Sequence, residues 1–271
     1  MDLGLRDKIA LVTAGSAGLG LAAATELARE GAKVMINGRH QDRLDAAVAQ
    51  IRAEVGEGGI VSTTPVVATA VGDVAVPADV ERMVQATIDA FGGLDILITN
   101  AGGPPKGTFV TTDLDAWQTG VDLTLMSVVR LVHAALPHLR QSDAASILTV
   151  TSISVKEPID NLLLSNVIRP AVVGLTKSLS KELGGEGIRV NSILPGWTKT
   201  ERIDYILNFL AEEKGTTPEI EEANIVANVP SGRMGRPDEF GRVAAFLVSP
   251  AASYVSGMMM LVDGGAYVGL M

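Results

Sequence analysis

The 271 residues contain no cysteine, which removes disulfide bracing, thiolate nucleophiles and cysteine-based metal sites together. Histidine is nearly as scarce, with 3 copies, His40, His133 and His138. No His/Asp/Glu group has ligand spacing, so no metal site is expected. Positive charge is also short: 22 Lys and Arg stand against 31 Asp and Glu, for a formal net charge of −9 and a pI near 4.9. That balance argues against nucleic acid as a partner, while leaving room for a small anion held locally. Charges interrupt every long apolar run, and the start, Met1 to Lys8, lacks the apolar core of a secretory signal. A cytoplasmic protein without membrane segments is expected.

What the chain does have is apolar content, 47% with a mean hydropathy of +0.29, which excludes disorder and suffices for the core of a large α/β domain. The stretch from Ile9 to Gly31 organises the rest. A short apolar run, Ile9 to Val12, fits a buried parallel strand. A glycine-rich turn, Thr13 to Gly20, follows, and then an alanine-rich amphipathic segment that stops at Gly31. Strand, glycine turn and helix in that order form a phosphate cradle: the glycines allow close backbone approach, and the helix N-terminus offers free N–H groups to an anion.

Further along, strands are expected at Lys33 to Asn37, Val66 to Ala70, Leu94 to Thr99, Ser146 to Thr151, Ile188 to Leu194 and Met258 to Val262. Pro65 argues against one uninterrupted strand before Ala70. Helices are expected at Gln41 to Val55, Pro77 to Phe91, Leu114 to Arg140 with a break near Pro137, Leu164 to Leu183 and Pro237 to Val248. Thr200 to Val229 reads as an excursion of one or two helices. Strands alternating with helices make an α/β, doubly wound parallel sheet, with ligands at the strands' C-terminal ends. No repeat, linker or internal boundary appears, so residues 1–271 read as a single dinucleotide-binding domain.

Five motifs then converge. Thr13 to Gly20, Asp73 before Val74, Phe91-Gly92-Gly93-Leu94-Asp95 leading to Asn100-Ala101-Gly102, Pro195-Gly196 with Thr200, and Asp263-Gly264-Gly265 occur in a telling order and spacing. Together they resemble the short-chain dehydrogenases/reductases, the 3-oxoacyl-carrier-protein-reductase-like branch in particular, over essentially the whole chain. The resemblance implies a seven-stranded Rossmann sheet, a nicotinamide cofactor, a substrate lid at about 200–230 and a homotetramer packed through the long helices. It implies that Gly15, Gly18 and Leu19 surround pyrophosphate and ribose, with Ser16 near the adenosine phosphate. It places Asp73 and Val74 at adenine, Asn100, Ala101 and Gly102 along the ribose channel, and Pro195, Gly196 and Thr200 at the nicotinamide amide. Ala14 replaces the first glycine of the family's turn, which is tolerable if its φ stays negative.

An acid at the end of the second strand would select NAD(H) through the ribose 2′-hydroxyl. Here that position is Gly38, with Arg39 beside it and Arg43 a turn on. A guanidinium forks onto a 2′-phosphate, so NADP(H) is expected over NAD(H).

The family's chemistry rests on an asparagine, a serine, a tyrosine and a lysine four residues after the tyrosine. By position these are Thr124, Ser152, Ser165 and Arg169, and only the serine keeps its type. A serine hydroxyl is a far weaker acid than a phenol. Arg169 cannot relay a proton, but it can bond ribose hydroxyls and face a developing alkoxide. Ser152 and Arg169 could therefore stabilise an oxyanion while water protonates it, giving slow turnover on activated carbonyls. Pro170 costs little if its helix starts just upstream, and kinks it if the start is earlier. Tyr205, Lys156, Glu157 and Asp160 are alternative proton donors, though ordinary loop and lid residues are the simpler account of each. Leu162, Leu163, Leu164 and Trp197 suggest an apolar pocket wall, and core packing is the plain alternative for the leucines.

The sequence thus points to an NADP(H)-dependent oxidoreductase that interconverts a carbonyl and an alcohol on a small substrate of apolar character. Two rival readings share the fold: a non-catalytic NADP(H)-binding protein, and a redox-neutral isomerase or lyase in which Arg169 holds an anionic intermediate.

Overall fold

A computed structural model describes residues 2–56 and 66–270. The apolar runs form strands β1 (Ile9–Val12), β2 (Lys33–Gly38), β3 (Val67–Val71), β4 (Ile96–Thr99), β5 (Ser146–Val150), β6 (Arg189–Pro195) and β7 (Met259–Val262). They pair in parallel as one 7-stranded sheet in the order β3-β2-β1-β4-β5-β6-β7. The order reverses between β1 and β4, and that is where a crevice opens at the strands' C-terminal ends.

Helices cover both faces, so successive strand residues enter opposite cores. Ala10, Val12, Ile96, Ile98 and Leu148 pack with α1 (Gly18–Arg29), α2 (Gln41–Gly56) and α9 (Pro237–Val248), whose Leu27, Ile51 and Phe240 are fully buried. Leu11, Leu97 and Ile147 face α3 (Pro77–Phe91), α5 (Ser127–Leu139) and α6 (Leu163–Glu182) through Met83, Leu131 and Val172. Each fully buried Leu or Ile contributes about 1.5–3 kcal/mol relative to exposure. The remaining helices are α4 (Leu114–Val121), α7 (Glu201–Lys214) and α8 (Pro218–Val226), the last two forming the excursion after β6.

Element ends agree with the sequence expectations to within three residues, the largest shifts being α1, which starts at Gly18 inside the expected turn, and α8, which stops at Val226. Pro65 lies outside the described residues, so the argument drawn from it does too. The differences lie inside helices. No break occurs at Pro137, which sits in the last turn of α5. The run from Leu114 is instead interrupted by a π-helical turn, Asp122–Met126, which holds Thr124. Just before it, a Cβ on Gly120 would stand 3.0 Å from Ile168 Cδ1 and 3.2 Å from Leu164 Cδ1, so glycine allows α4 to lie close on α6. The stretch Leu114–Leu139 is long and apolar enough to cross a membrane by length and composition. In the fold Val128, Leu131, Val132, Ala135 and Leu139 are part of the core beneath α3 and β4.

The condition set for Ala14 is not met, because its φ is +47°. The turn needs this conformation: Gly20, whose Cβ would lie 2.2 Å from the Ala14 carbonyl oxygen, packs directly on it. Left-handed backbone costs a non-glycine residue about 1–2 kcal/mol, and glycine returns about 0.4–1 kcal/mol of that as unfolded-chain entropy. Ala14→Gly is therefore expected to raise unfolding stability by roughly 0.5–1 kcal/mol in urea titration, and an unchanged midpoint would contradict the strain.

Candidate active site

The crevice is a cavity of about 720 Å³ that runs from the glycine turn to the excursion after β6. Its dinucleotide end is built from backbone tied by buried polar side chains. Thr13 Oγ1 donates to the Asn100 carbonyl at 2.7 Å and accepts from Asn100 N at 2.8 Å, which locks the ends of β1 and β4 together. Asn37 Nδ2 donates to the carbonyls of Ala70 and Gly72, both at 3.0 Å, and Gly15 N donates to the Asn37 carbonyl at 2.8 Å. Gly15 packs on Ile36, where a Cβ would meet the side chain at 3.0 Å. It shapes the turn from behind, and the wall itself is formed by Ser16, Gly18 and Leu19.

Arg39, Asp73, Val74, Asn100, Ala101, Gly102, Pro195, Gly196 and Thr200 also line the cavity, as the resemblance implies. Position 38 is tight for any side chain: a Cβ there would stand 3.0 Å from Ser16 Oγ and 3.2 Å from Leu44 Cδ2, so both would have to give way to an acid. Arg39 is exposed and has no ion-pair or hydrogen-bond partner among the described residues. Arg43 stands 4.0 Å from Glu201 in an exposed pair, a contact of little energetic weight. The glycine cradle and the free guanidinium fit a phosphorylated dinucleotide.

The other end is set by β5, the short 3-10 turn Ile153–Val155 after it, and the first turns of α6. Ser152 Oγ accepts from Ser154 N at 3.1 Å and caps the turn. Ser154 and Ser165 are buried, their hydroxyls 3.0 Å apart. Arg169 Nε donates to Ser165 Oγ at 3.1 Å, and its Nη1 donates to the carbonyls of Thr151 at 2.6 Å and Val150 at 3.3 Å. Ser152, Ser165 and Arg169 thus meet at one wall of the cavity. With its oxygen lone pairs engaged by a cation, the Ser165 hydroxyl is a better donor than an isolated serine. Burial, with the Arg202 guanidinium nearby, pushes Arg169 down to about 10, so it remains a cation at neutral pH.

Pro170 lies well inside α6, the costlier of its two expected placements, since the Asn166 carbonyl loses its helical N–H donor. The helix continues nonetheless, and Arg169 still points into the cavity. Asn166 bonds Ile159 through both backbone groups, at 3.1 and 2.8 Å, tying this helix start to the loop before it.

Other expectations are corrected. Thr124 does not line the cavity; it is buried in the π turn with Oγ1 lacking a hydrogen-bond partner. Leu162 and Trp197 form part of the wall, whereas Leu163 does not and Leu164 is core. Among Tyr205, Lys156, Glu157 and Asp160 only Tyr205 reaches the cavity. The sequence reading missed Ser154, whose role appears only once the 3-10 turn folds it onto Ser165. It also missed Arg202 and Lys106, which no motif marks.

Fold and cavity together define a doubly wound dinucleotide-binding protein whose cleft runs from the glycine cradle to the Ser165–Arg169 wall. A family model described as Enoyl-(Acyl carrier protein) reductase matches residues 13–267. Dehydrogenase/reductase SDR family member 4 of Oryctolagus cuniculus is 35% identical over 263 residues, 97% of this chain and 94% of that protein. The L-sorbose reductase of Gluconobacter frateurii, solved with NADPH and L-sorbose, superposes with a TM-score of 0.92 at 31% identity, covering 100% of both chains. An NADPH-bound short chain oxidoreductase of Pseudomonas aeruginosa PAO1, described as containing an atypical catalytic center, gives a TM-score of 0.84 at 30% identity, over 97% of this chain and 99% of that one. The chain belongs to the short-chain dehydrogenase/reductase family.

Proposed function

We propose that this protein is an NADP(H)-dependent oxidoreductase that interconverts a carbonyl and an alcohol through Ser152, Ser165 and Arg169. The observation that carries the reading is the Ser165–Arg169 contact at 3.1 Å, set in the wall of a cavity continuous with a cradle that has Arg39 and no acid at position 38. NADPH-bound relatives of the same fold support the cofactor. The reduced nicotinamide supplies the hydride when bound. Arg169 and the Ser152 and Ser165 hydroxyls then face the carbonyl oxygen as negative charge grows on it. With a serine in place of a phenol at position 165, the alkoxide takes its proton through the serine hydroxyls or from water. General acid catalysis is worth about 10²–10⁴ in rate, so activated carbonyls are the expected substrates. The 3-oxoacyl-reductase-like branch and a homotetramer packed through the long helices belong to the same reading and rest on the sequence resemblance, while a cytoplasmic location rests on the charge-interrupted apolar runs of the sequence.

The test is NADPH consumption over β-ketoacyl thioesters, diketones, quinones and aldehydes, with Ser152→Ala and Arg169→Ala alongside. Turnover that falls in both variants supports the reading. Tight NADPH binding with no turnover anywhere would favour a binding protein, and product formed without net cofactor oxidation would favour a redox-neutral enzyme.

A further inference from the structure

Among the described residues, Lys199 just before the excursion and Lys214 within it are paired, and Arg202 is not. Lys199 meets Asp204 at 3.3 Å and Glu222 at 2.6 Å, and Lys214 meets Glu221 at 2.8 Å. Arg202, in the first turn of α7, has neither an ion-pair nor a hydrogen-bond partner, and it lines the cavity. Its guanidinium lies against Gly103: a Cβ there would stand 2.7 Å from Nη2 and 3.2 Å from Cζ, so a side chain at 103 would push the guanidinium from this position.

Two further cations stand close by. Arg169 shares the wall. Lys106 Nζ is buried without a hydrogen-bond partner, 4.6 Å from the Tyr205 ring centroid and 4.5 Å from that of Phe209. Burial, then Arg202, holds Lys106 below the usual lysine range, with Glu213 acting the other way. No carboxylate answers this charge inside the cavity. The acids that line it are Asp73, which accepts from Ala75 N at 2.9 Å, and Glu201, which faces Arg43. The cavity that Arg202 shares with the Ser165–Arg169 pair also has apolar lining, from Ile153, Ile159, Leu162, Trp197 and Ile206.

We propose that the substrate is an oxo acid, or the matching hydroxy acid, whose carboxylate is taken by Arg202 while its hydrocarbon stem lies on this apolar lining. The proposal rests on the oxidoreductase reading and narrows it to one substrate class. A planar guanidinium without a competing acid matches a carboxylate in two parallel hydrogen bonds, and the surrounding cations lower the free energy of an arriving anion. The cofactor's pyrophosphate is the other anion within this cleft, and the test separates the two.

The NADPH-loaded protein and its Arg202→Gln variant are titrated calorimetrically with hexanoate and with hexanamide, and assayed for reduction of two activated carbonyls, 4,5-dioxohexanoate and its uncharged counterpart 2,3-hexanedione. The wild-type protein should bind hexanoate at least about tenfold more tightly than hexanamide, a preference that Arg202→Gln removes. NADPH affinity should change less than about twofold, since Arg202 is assigned to the substrate and not to the cofactor. Equal binding of acid and amide overturns the proposal. So does a variant that loses NADPH affinity while keeping the preference, which assigns Arg202 to the pyrophosphate. Hexanoate selectivity without reduction of either dione sinks the oxidoreductase reading and leaves the anion seat standing. Reduction of 2,3-hexanedione without selectivity does the reverse.

Discussion

Arg169→Met is expected to lower kcat/KM by about 10²–10³ on any carbonyl the protein reduces, the loss typical of removing one donor to a developing oxyanion. Methionine keeps most of the stem's volume but offers no N–H, so the Ser165 hydroxyl loses its cationic partner along with the charge facing the substrate. Arg169→Lys separates catalysis from folding. It restores the charge but not the span from Ser165 Oγ to the Thr151 carbonyl, and should recover part of the lost rate. The pH profile gives a second readout. Arg169 stays protonated up to about 10, so kcat should stay level from about pH 7 to about pH 9, and a fall within that range would assign the proton transfer to another group. A variant within about threefold of wild type would remove Arg169 from the chemistry.

Arg39→Asp is expected to reduce the preference for NADPH over NADH by about 10²–10³. A hydrogen bond to a charged group contributes about 1.5–3 kcal/mol, or about ten- to a hundredfold, and the new carboxylate adds repulsion against the 2′-phosphate. Arg39→Ala should show only the first effect. The measurement is the ratio of kcat/KM for the two cofactors, or of their dissociation constants if turnover is slow. A ratio unchanged by either substitution would leave Arg39 as a solvated surface residue and shift attention to Arg43.

Much of the fold is legible from punctuation. The strands are short apolar runs bounded by glycine, proline or charge, and Pro77 and Pro237 each open a helix. The π turn at Asp122–Met126 is not legible in this way, because it reflects how closely α4 lies on α6 at Gly120, a tertiary contact with no local signal. Ala14 is a similar case, since a chain met as sequence shows a methyl and not its φ. In the site, positions were readable and directions were not. Leu162, Ser165 and Arg169 share a face of α6 that turns to the cavity, while Leu164 and Ile168 turn to α4. The leucine run carries no mark of which member falls on which side. Arg202 and Lys106 were missed because unpaired charge is a property of surroundings, and several of the other lysines and arginines here are paired.

Ser16 Oγ, 3.0 Å from where a Cβ on Gly38 would stand, constrains the order in which this lineage could change cofactor. An aspartate arriving at position 38 first would meet both the serine and Leu44, so its cost in fit would precede any gain in NADH use. Reduction of Ser16 to a smaller residue relieves one of these contacts, and a shift of the Leu44 side chain relieves the other. The path between the two dinucleotides is therefore easier through position 16 before position 38, and a library randomised at position 38 alone should favour glycine and the smallest side chains.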